Sequence, residues 1–222
     1  RFDHVRPAPF EAAEETELVS LLGQLYAQVD TLIVSDYGYG LIGSALVAAL
    51  QRLRADRHRL LVVDSRSRLQ ELAVLEPDVV KPNYEEASRL LELPQLLDRE
   101  RMMIVRRWGH QVLERTAARI AAVTLDSEGS IVFERTREAY RTYSHATRNP
   151  RAAGAGDTYL SVLALALTAG AAVPVAAELA SAAAAVVIQK EGTAICSASE
   201  LREYLAGEGK YTSDLARLSE RL

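Results

Sequence analysis

The sequence predicts an α/β domain built on a parallel sheet with helices on its faces, and three observations carry that expectation. Short β-branched apolar runs alternate, three times in succession, with stretches whose apolar residues recur at helical spacing. Each apolar run stops at polar or turn-forming residues. From Gly154 onward the pattern turns helical and stays so.

The elements follow in order. "TLIVSD", Thr31 to Asp36, reads as a strand that ends at "YGYG", and Ile42 to Arg54 then carries apolar residues at helical spacing. "RLLVVDS", Arg59 to Ser65, repeats the strand and leads into a short helical stretch. "DVVKPN" holds a third, brief strand, after which "YEEASRLLEL" is helical. A less regular helical region starts at Pro94. "RIAAVTLD" and "SIVFER" read as strands parted by the turn Ser127-Glu128-Gly129, and "EAYRTYS" is a candidate for another. Beyond Gly154, "AAVPVAAELASAAAAVVIQK" forms a second buried helix and "SASELREYL" a third, which opens on a serine suited to cap it. No repeat, low-complexity tract or linker interrupts the 222 residues, so one domain over 1–222 is the expectation.

Composition narrows the function. Nearly half of the residues are apolar (49%), enough for a sizeable core, and a net charge of −4 with both signs interspersed argues against nucleic acid or an anionic membrane as the main partner. A small-molecule partner fits better. The single cysteine, Cys196, excludes an internal disulfide framework, and His4, His58, His110 and His145 are too scattered for a zinc site. A reducing, cytoplasmic setting is expected. The apolar stretch from Ala171 to Ile188 contains Pro174 and Glu178 and does not read as a membrane span. The chain opens on Arg1 rather than methionine.

In open parallel sheets, ligands bind at the carboxyl ends of the strands. Ser35-Asp36-Tyr37, Asp64-Ser65-Arg66, Lys81-Pro82-Asn83 and Thr124-Leu125-Asp126 all lie where a predicted strand stops. Strand ends also favour polar turn residues for purely structural reasons, so it is the four together that carry weight. "GAGD" then adds chemistry. Gly154-Ala155-Gly156 lets backbone N–H groups converge on an anion at a helix start, where charge on a transferring phosphoryl group is stabilised. A carboxylate there does not bind the anion, but it can take a proton from an attacking hydroxyl, which makes Asp157 a candidate general base. The competing reading is that Asp157 only caps the helix.

"AAGAGDTYLSVLALALTAG" resembles the signature of the ribokinase-like sugar kinases, the PfkB family, whose usual form is D-x-T-G-A-G-D-T or a close variant. "KPNYEEA" contains a second family signature, N-x-x-E, at Asn83 and Glu86. "VSDYGYGLI", "VVDSRSRLQEL", "VVKPNYEEASRLL" and "KEGTAICSASEL" resemble, in order, segments of the heptose 7-phosphate kinase branch, over roughly Asp30 to Leu205. The resemblance implies a three-layer α/β/α sandwich with a mainly parallel sheet and ATP-dependent phosphorylation of a sugar or sugar phosphate. It implies Asp157 as catalytic base and Gly154, Ala155 and Gly156 as the anion hole. Asn83 and Glu86 would organise Mg²⁺ and ATP, with Glu86 acting on the metal indirectly. Thr124 and Gly129 would border the nucleotide on one side, and Lys190, Gly192 and Thr193 on the other. Asp64 and Arg66 would lie near the phosphates and Asp36 would face the transfer site.

Departures from the pattern qualify these expectations. Arg151 and Ala153 stand where the family usually has aspartate and threonine, oxygen donors that help hold a monovalent cation in many members; a guanidinium offers no oxygen. Activity is therefore expected to depend little on potassium. Tyr39 replaces a lysine common in the heptose branch, and Ser181 an asparagine beside the adenine. The family's glycine-pair sugar motif and small β lid have no counterpart, so the chain reads as the catalytic and nucleotide-binding portion of the domain. Association with another copy or with an N-terminal segment is expected of it. A non-catalytic nucleotide-binding or regulatory relative, and a kinase for ribose, fructose or a nucleoside, remain as alternatives.

Overall fold

The computed structural model describes residues 11–93, 98–143 and 154–207. Six strands form a single sheet, β1 (Thr31–Asp36), β2 (Leu60–Ser65), β3 (Val79–Val80), β4 (Ile120–Thr124), β5 (Ser130–Glu134) and β6 (Tyr140–Thr142). Their spatial order is their chain order, with β1 to β4 parallel and β5 and β6 antiparallel. The helices are α1 (Ala12–Tyr26), α2 (Ser44–Asp56), α3 (Tyr84–Leu90), α4 (Asp98–Trp108), α5 (His110–Thr116), α6 (Ala155–Thr168), α7 (Val173–Ile188) and α8 (Ala198–Gly207).

Alternation along the strands assigns the two faces. Leu61, Val63, Val80, Ala121, Val123, Ile131 and Phe133 point into one core with α1 to α5. Val62, Val79, Ala122 and Val132 point into the other, against α6, α7 and α8. The result is a three-layer α/β/α sandwich. The central strands are apolar on both faces because both faces are covered. The second core is closed by small residues: Ala176, Ala177, Ala180 and Ala183 are fully or almost fully buried along α7, which lets that helix lie close to α6.

The expected strand bounds at Thr31–Asp36 hold, and the short helical stretch after β2 is a 3₁₀ turn, Glu71–Leu75. The expected helix over Ile42–Arg54 starts two residues later, at Ser44, with Gly43 in the cap position and Ile42 buried in the first core. The irregular region after Pro94 resolves into α4 and α5, joined at Gly109. That glycine is obligatory: a Cβ there would stand 2.1 Å from the Phe133 ring and 2.6 Å from the Val105 carbonyl oxygen. Ser197 does cap α8, receiving the Glu200 amide (3.3 Å) while its own N–H donates to the Glu200 carboxylate (2.9 Å). Helix α1 was not among the expected elements; Leu18, Val19 and Leu22 pack it onto the first core. No helix among the described residues is long and apolar enough to cross a membrane.

Candidate active site

The carboxyl ends of β1, β2, β3 and β4 and the N-terminus of α6 meet on one side of the sheet. Helix α6 begins at Ala155, one residue after Gly154, whose φ of +97° a side chain rarely tolerates. Its first internal hydrogen bond runs from the Thr158 N–H to the Gly154 carbonyl (2.9 Å), so the amides of Ala155, Gly156 and Asp157 have no partner within the helix. Lys81, buried at the end of β3, brings its ammonium to the same place: a Cβ on Gly156 would lie 3.9 Å from Lys81 Nζ. Three N–H groups, the positive end of a helix and an ammonium thus surround one small volume, a setting suited to a phosphate.

Asp157 is the third residue of α6. The N-cap position is Gly154, which has no side chain, and Asp157 lies inside the first turn rather than at the cap position. Its Oδ1 accepts a hydrogen bond from the Tyr37 hydroxyl (2.9 Å), across 120 residues of chain. The side chain is exposed and reachable by an acceptor.

Asp64 leaves β2 on the same side and pairs through Oδ2 with Lys81 Nζ at 3.1 Å. Burial pushes the Asp64 carboxyl up from its ordinary range, the Lys81 charge opposes that, and the Asp157 charge adds to it. Asp36 is buried and fully occupied. Oδ2 accepts from the Ser65 hydroxyl (2.8 Å) and Oδ1 from the Gly38 N–H (2.9 Å), so Asp36 ties β1 to β2 and shapes the turn that carries Tyr37. Arg66 is exposed and lines a cleft of about 140 Å³ together with Ser65, Gln70, Glu86 and Arg89.

Asn83 and Glu86 form a reciprocal capping box on α3. The Glu86 N–H donates to Asn83 Oδ1 and the Asn83 N–H to Glu86 Oε2, both at 2.9 Å. The N-x-x-E spacing therefore has a structural use here, which leaves Glu86 Oε1 and the Asn83 amide nitrogen outside the box. Burial raises the Glu86 carboxyl, partly offset by its bond to the Asn83 backbone. Thr124 stands beside Asn83 through a parallel bridge, its N–H donating to the Pro82 carbonyl (3.0 Å). Gly129, at φ +90°, closes the turn after β4 by accepting from the Leu125 N–H at 2.8 Å.

The 190–195 segment reaches the anion loop from the other flank, with Thr193 Cγ2 and the Ala194 carbonyl 3.9 and 3.7 Å from where a Gly154 Cβ would lie. Gly192 turns this segment at φ +73°. Lys190 does not point freely into a pocket: its ammonium contacts Glu200 Oε1 (2.5 Å) and the Ile195 carbonyl (2.7 Å), fastening the segment to α8. Ser181 donates to Thr142 Oγ1 (2.7 Å) in a hydroxyl chain with Ser130 and Tyr159 that joins α7, β6, β5 and α6. Arg151 and Ala153 lie outside the described residues.

The residues that sequence reasoning passed over and the fold brings to this site are Lys81 and Tyr37. Both sat in tripeptides marked as strand ends, but only the fold shows that one faces the anion loop and the other the carboxylate. Mg²⁺ and ATP fit this donor set. Among the described residues no cluster of three acidic, histidine or cysteine side chains stands ready to hold a metal alone, which suits an ion that keeps its waters and binds largely through substrate phosphates.

Residues 8–200 match the pfkB family of carbohydrate kinases. The chain belongs to that family. Among curated proteins, this pfkB-family chain is 32% identical over 196 residues to the bifunctional protein HldE of Desulfatibacillum aliphaticivorans, covering 87% of the chain and 39% of the relative. It is 30% identical over 211 residues to HldE of Hyphomonas neptunium, covering 94% and 42%. The chain thus spans about two fifths of the length of these relatives. Among solved structures, phosphofructokinase-2 from Escherichia coli in complex with potassium superposes with a TM-score of 0.73 at 18% identity, covering 93% of this chain and 66% of that one. Ribokinase from Thermotoga maritima superposes with a TM-score of 0.63 at 15% identity, covering 83% and 59%. These structures share the ribokinase-like α/β fold.

Proposed function

We propose that the protein phosphorylates a sugar phosphate hydroxyl with ATP, and that the acceptor is D-glycero-D-manno-heptose 7-phosphate, at O1. One observation carries the kinase reading: an exposed carboxylate, Asp157, stands in the first turn of a helix whose free amides and a buried ammonium, Lys81, face the same small volume. The heptose acceptor is supported by the sequence segments that resemble the heptose 7-phosphate kinase branch and by the HldE relatives.

Bound Mg²⁺ and ATP supply the phosphoryl group and neutralise part of its charge. The chain's own residues do the rest. Asp157 accepts the proton of the attacking hydroxyl, which raises the nucleophilicity of that oxygen as it approaches. The Ala155, Gly156 and Asp157 amides and the Lys81 ammonium are preorganised toward negative charge on the transferring group. Glu86 Oε1 would accept hydrogen bonds from the ion's waters and the Asn83 amide NH₂ would donate to a phosphate oxygen, with Arg66 and Arg89 flanking the cleft beside Glu86. Thr193 and Gly192 border the nucleotide, and Thr124 and Gly129 line it from the strand side. Potassium contributes little, since Arg151 supplies no oxygen ligand.

Release of ADP from ATP, followed with heptose 7-phosphate, fructose 6-phosphate, ribose, fructose and a nucleoside in parallel, tests the reading. Heptose 7-phosphate is expected to give the fastest turnover, with the Asp157→Asn variant slower by roughly two to four powers of ten. ATP binding without ADP release for any acceptor would favour a non-catalytic nucleotide-binding relative, for which Tyr39 in place of the branch's lysine is the specific argument.

A further inference from the structure

Among the described residues, the Tyr37 hydroxyl holds the Asp157 carboxylate, and the loop that delivers it is closely constrained. Tyr37 follows β1 directly. Its backbone is fixed on one side by Asp36, whose carboxylate binds both Ser65 and the Gly38 N–H, and the loop then turns through two glycines in the left-handed region, Gly38 at φ +80° and Gly40 at φ +91°. The ring is half exposed at 51%, so it contributes little to the core, yet its hydroxyl ends 2.9 Å from Asp157 Oδ1. A large aromatic residue placed at a strand end with its polar tip on a carboxylate 120 residues away has no packing role that explains it.

We propose that Tyr37 is a positioning residue for the general base: by donating to Oδ1 it fixes the plane of the Asp157 carboxylate and leaves Oδ2 as the oxygen that receives the acceptor's proton. This rests on the kinase reading above. A carboxylate with one oxygen anchored has one orientation about its terminal torsion, whereas a free one samples a broad range. In-line transfer needs the acceptor oxygen held within a narrow geometry, and small misplacements cost up to two powers of ten in rate. Among the described residues, the acidic groups near Asp157 do not anchor it. Asp64 repels it and is itself held by Lys81, and Asp36 is spent on Ser65 and Gly38. Burial first and then this bond push the Tyr37 phenol up from its ordinary range, against an opposing hydrogen bond with Ser35.

Two measurements decide the matter. In a kinase assay with heptose 7-phosphate, Tyr37→Phe is expected to lower kcat about tenfold while leaving KM for ATP and for the acceptor within about twofold, because only the base is disordered. Wild-type kcat in Tyr37→Phe alongside an inactive Asp157→Asn overturns the proposal and leaves the base assignment intact; an unchanged kcat with a raised acceptor KM overturns it as well, assigning Tyr37 to acceptor binding. An active Asp157→Asn overturns the base assignment instead. The second measurement needs no acceptor: the Tyr37 ring-carbon resonance, identified by its loss in Tyr37→Phe, is titrated with pH in wild type and in Asp157→Asn. Its midpoint is expected to fall in Asp157→Asn, since the neutral amide no longer favours the protonated phenol. A midpoint that does not fall overturns the proposal by itself.

Discussion

Two groups of acidic residues sit at opposite ends of the same sheet and are treated in opposite ways. Asp78 precedes β3 at the amino end of the parallel strands and is almost completely buried. It accepts from the Leu61 N–H at 2.9 Å and meets Arg54, Arg119 and His58 at 3.4 Å each. Arg54 in turn donates to the Arg59 and Glu76 carbonyls, both at 2.9 Å. Both oxygens of the Asp78 carboxylate are thus engaged by the protein. At the carboxyl end Asp36 is saturated in the same way, by Ser65 and Gly38, but among the described residues Asp64 pairs with one lysine, Asp157 with a tyrosine, and Glu86 keeps an oxygen outside its cap. The lesson is that a saturated carboxylate fastens strands together, whereas an undersaturated group facing free amides leaves room for a ligand to complete the balance.

The same substitution at the two ends gives the sharpest break. Asp157→Asn is expected to melt within a few degrees of wild type while turnover falls by roughly two to four powers of ten. Asp78→Asn is expected to do the reverse, costing about 3 kcal/mol of stability because Arg54 is left buried without its counter-charge, with turnover per folded molecule unchanged. Urea unfolding and ADP release on both variants check this. Equal losses of stability would erase the contrast.

Lys81→Met probes the buried cation beside the anion loop. It is expected to weaken ATP binding tenfold or more in a calorimetric titration, and to leave Asp64 buried beside Asp157 without the charge that offsets it. The Asp64 carboxyl is then pushed further up. The folded state holds that proton more tightly than the unfolded chain, so the variant's stability falls as pH rises from the ordinary carboxylate value through the raised one, and recovers in acid.

Asn83 separates capping from nucleotide binding. Asn83→Ala is expected to cost about 1 kcal/mol through loss of the cap, whereas Asn83→Ser restores the cap but supplies no amide nitrogen. ATP binding that follows stability across the two variants would reduce N-x-x-E to a helix start.

The smallest effect is at the outer flank. The Lys190 ammonium, aided by the Ser197 backbone and hydroxyl, lowers the Glu200 carboxyl to about 2. A depressed folded-state value contributes stability above the ordinary glutamate range and loses it as pH falls toward about 2. Lys190→Met is expected to flatten that acid limb slightly in a pH-dependent melt, with the 190–195 segment more open to hydrogen exchange.

Much of the fold is legible in the sequence because period and punctuation carry it. Thr31–Asp36 and the Ser197 cap are written locally, in β-branched runs and in a serine three residues before a glutamate. Helix α1 was not, since apart from Tyr26 its apolar residues bury only partly and form a weak stripe. The strand order is equally silent in sequence, as alternating strands and helices are compatible with several orders. At the site, Asp157 and its glycines announce themselves by type and spacing. Lys81 does not, because a lysine at a strand end is ordinary until both faces of β3 are covered, and neither does the pairing of Tyr37 with a residue in the last third of the chain. Asn83 and Glu86 show a deeper limit: capping and ion binding call for the same oxygens at the same spacing.

Strand order repeats chain order. Each strand from β2 to β6 pairs with the strand just before it in the chain, across separations as long as that from Val79 to Ile120. The opposite face, with Val62, Val79, Ala122 and Val132, is covered by α6 and α7, which follow all six strands in the chain. The glycine loop and Asp157 open that layer. On the proposed reading of the site, the protein is expected to hold a phosphate only once this second hydrophobic layer is closed, so nucleotide affinity would double as a readout of completed folding.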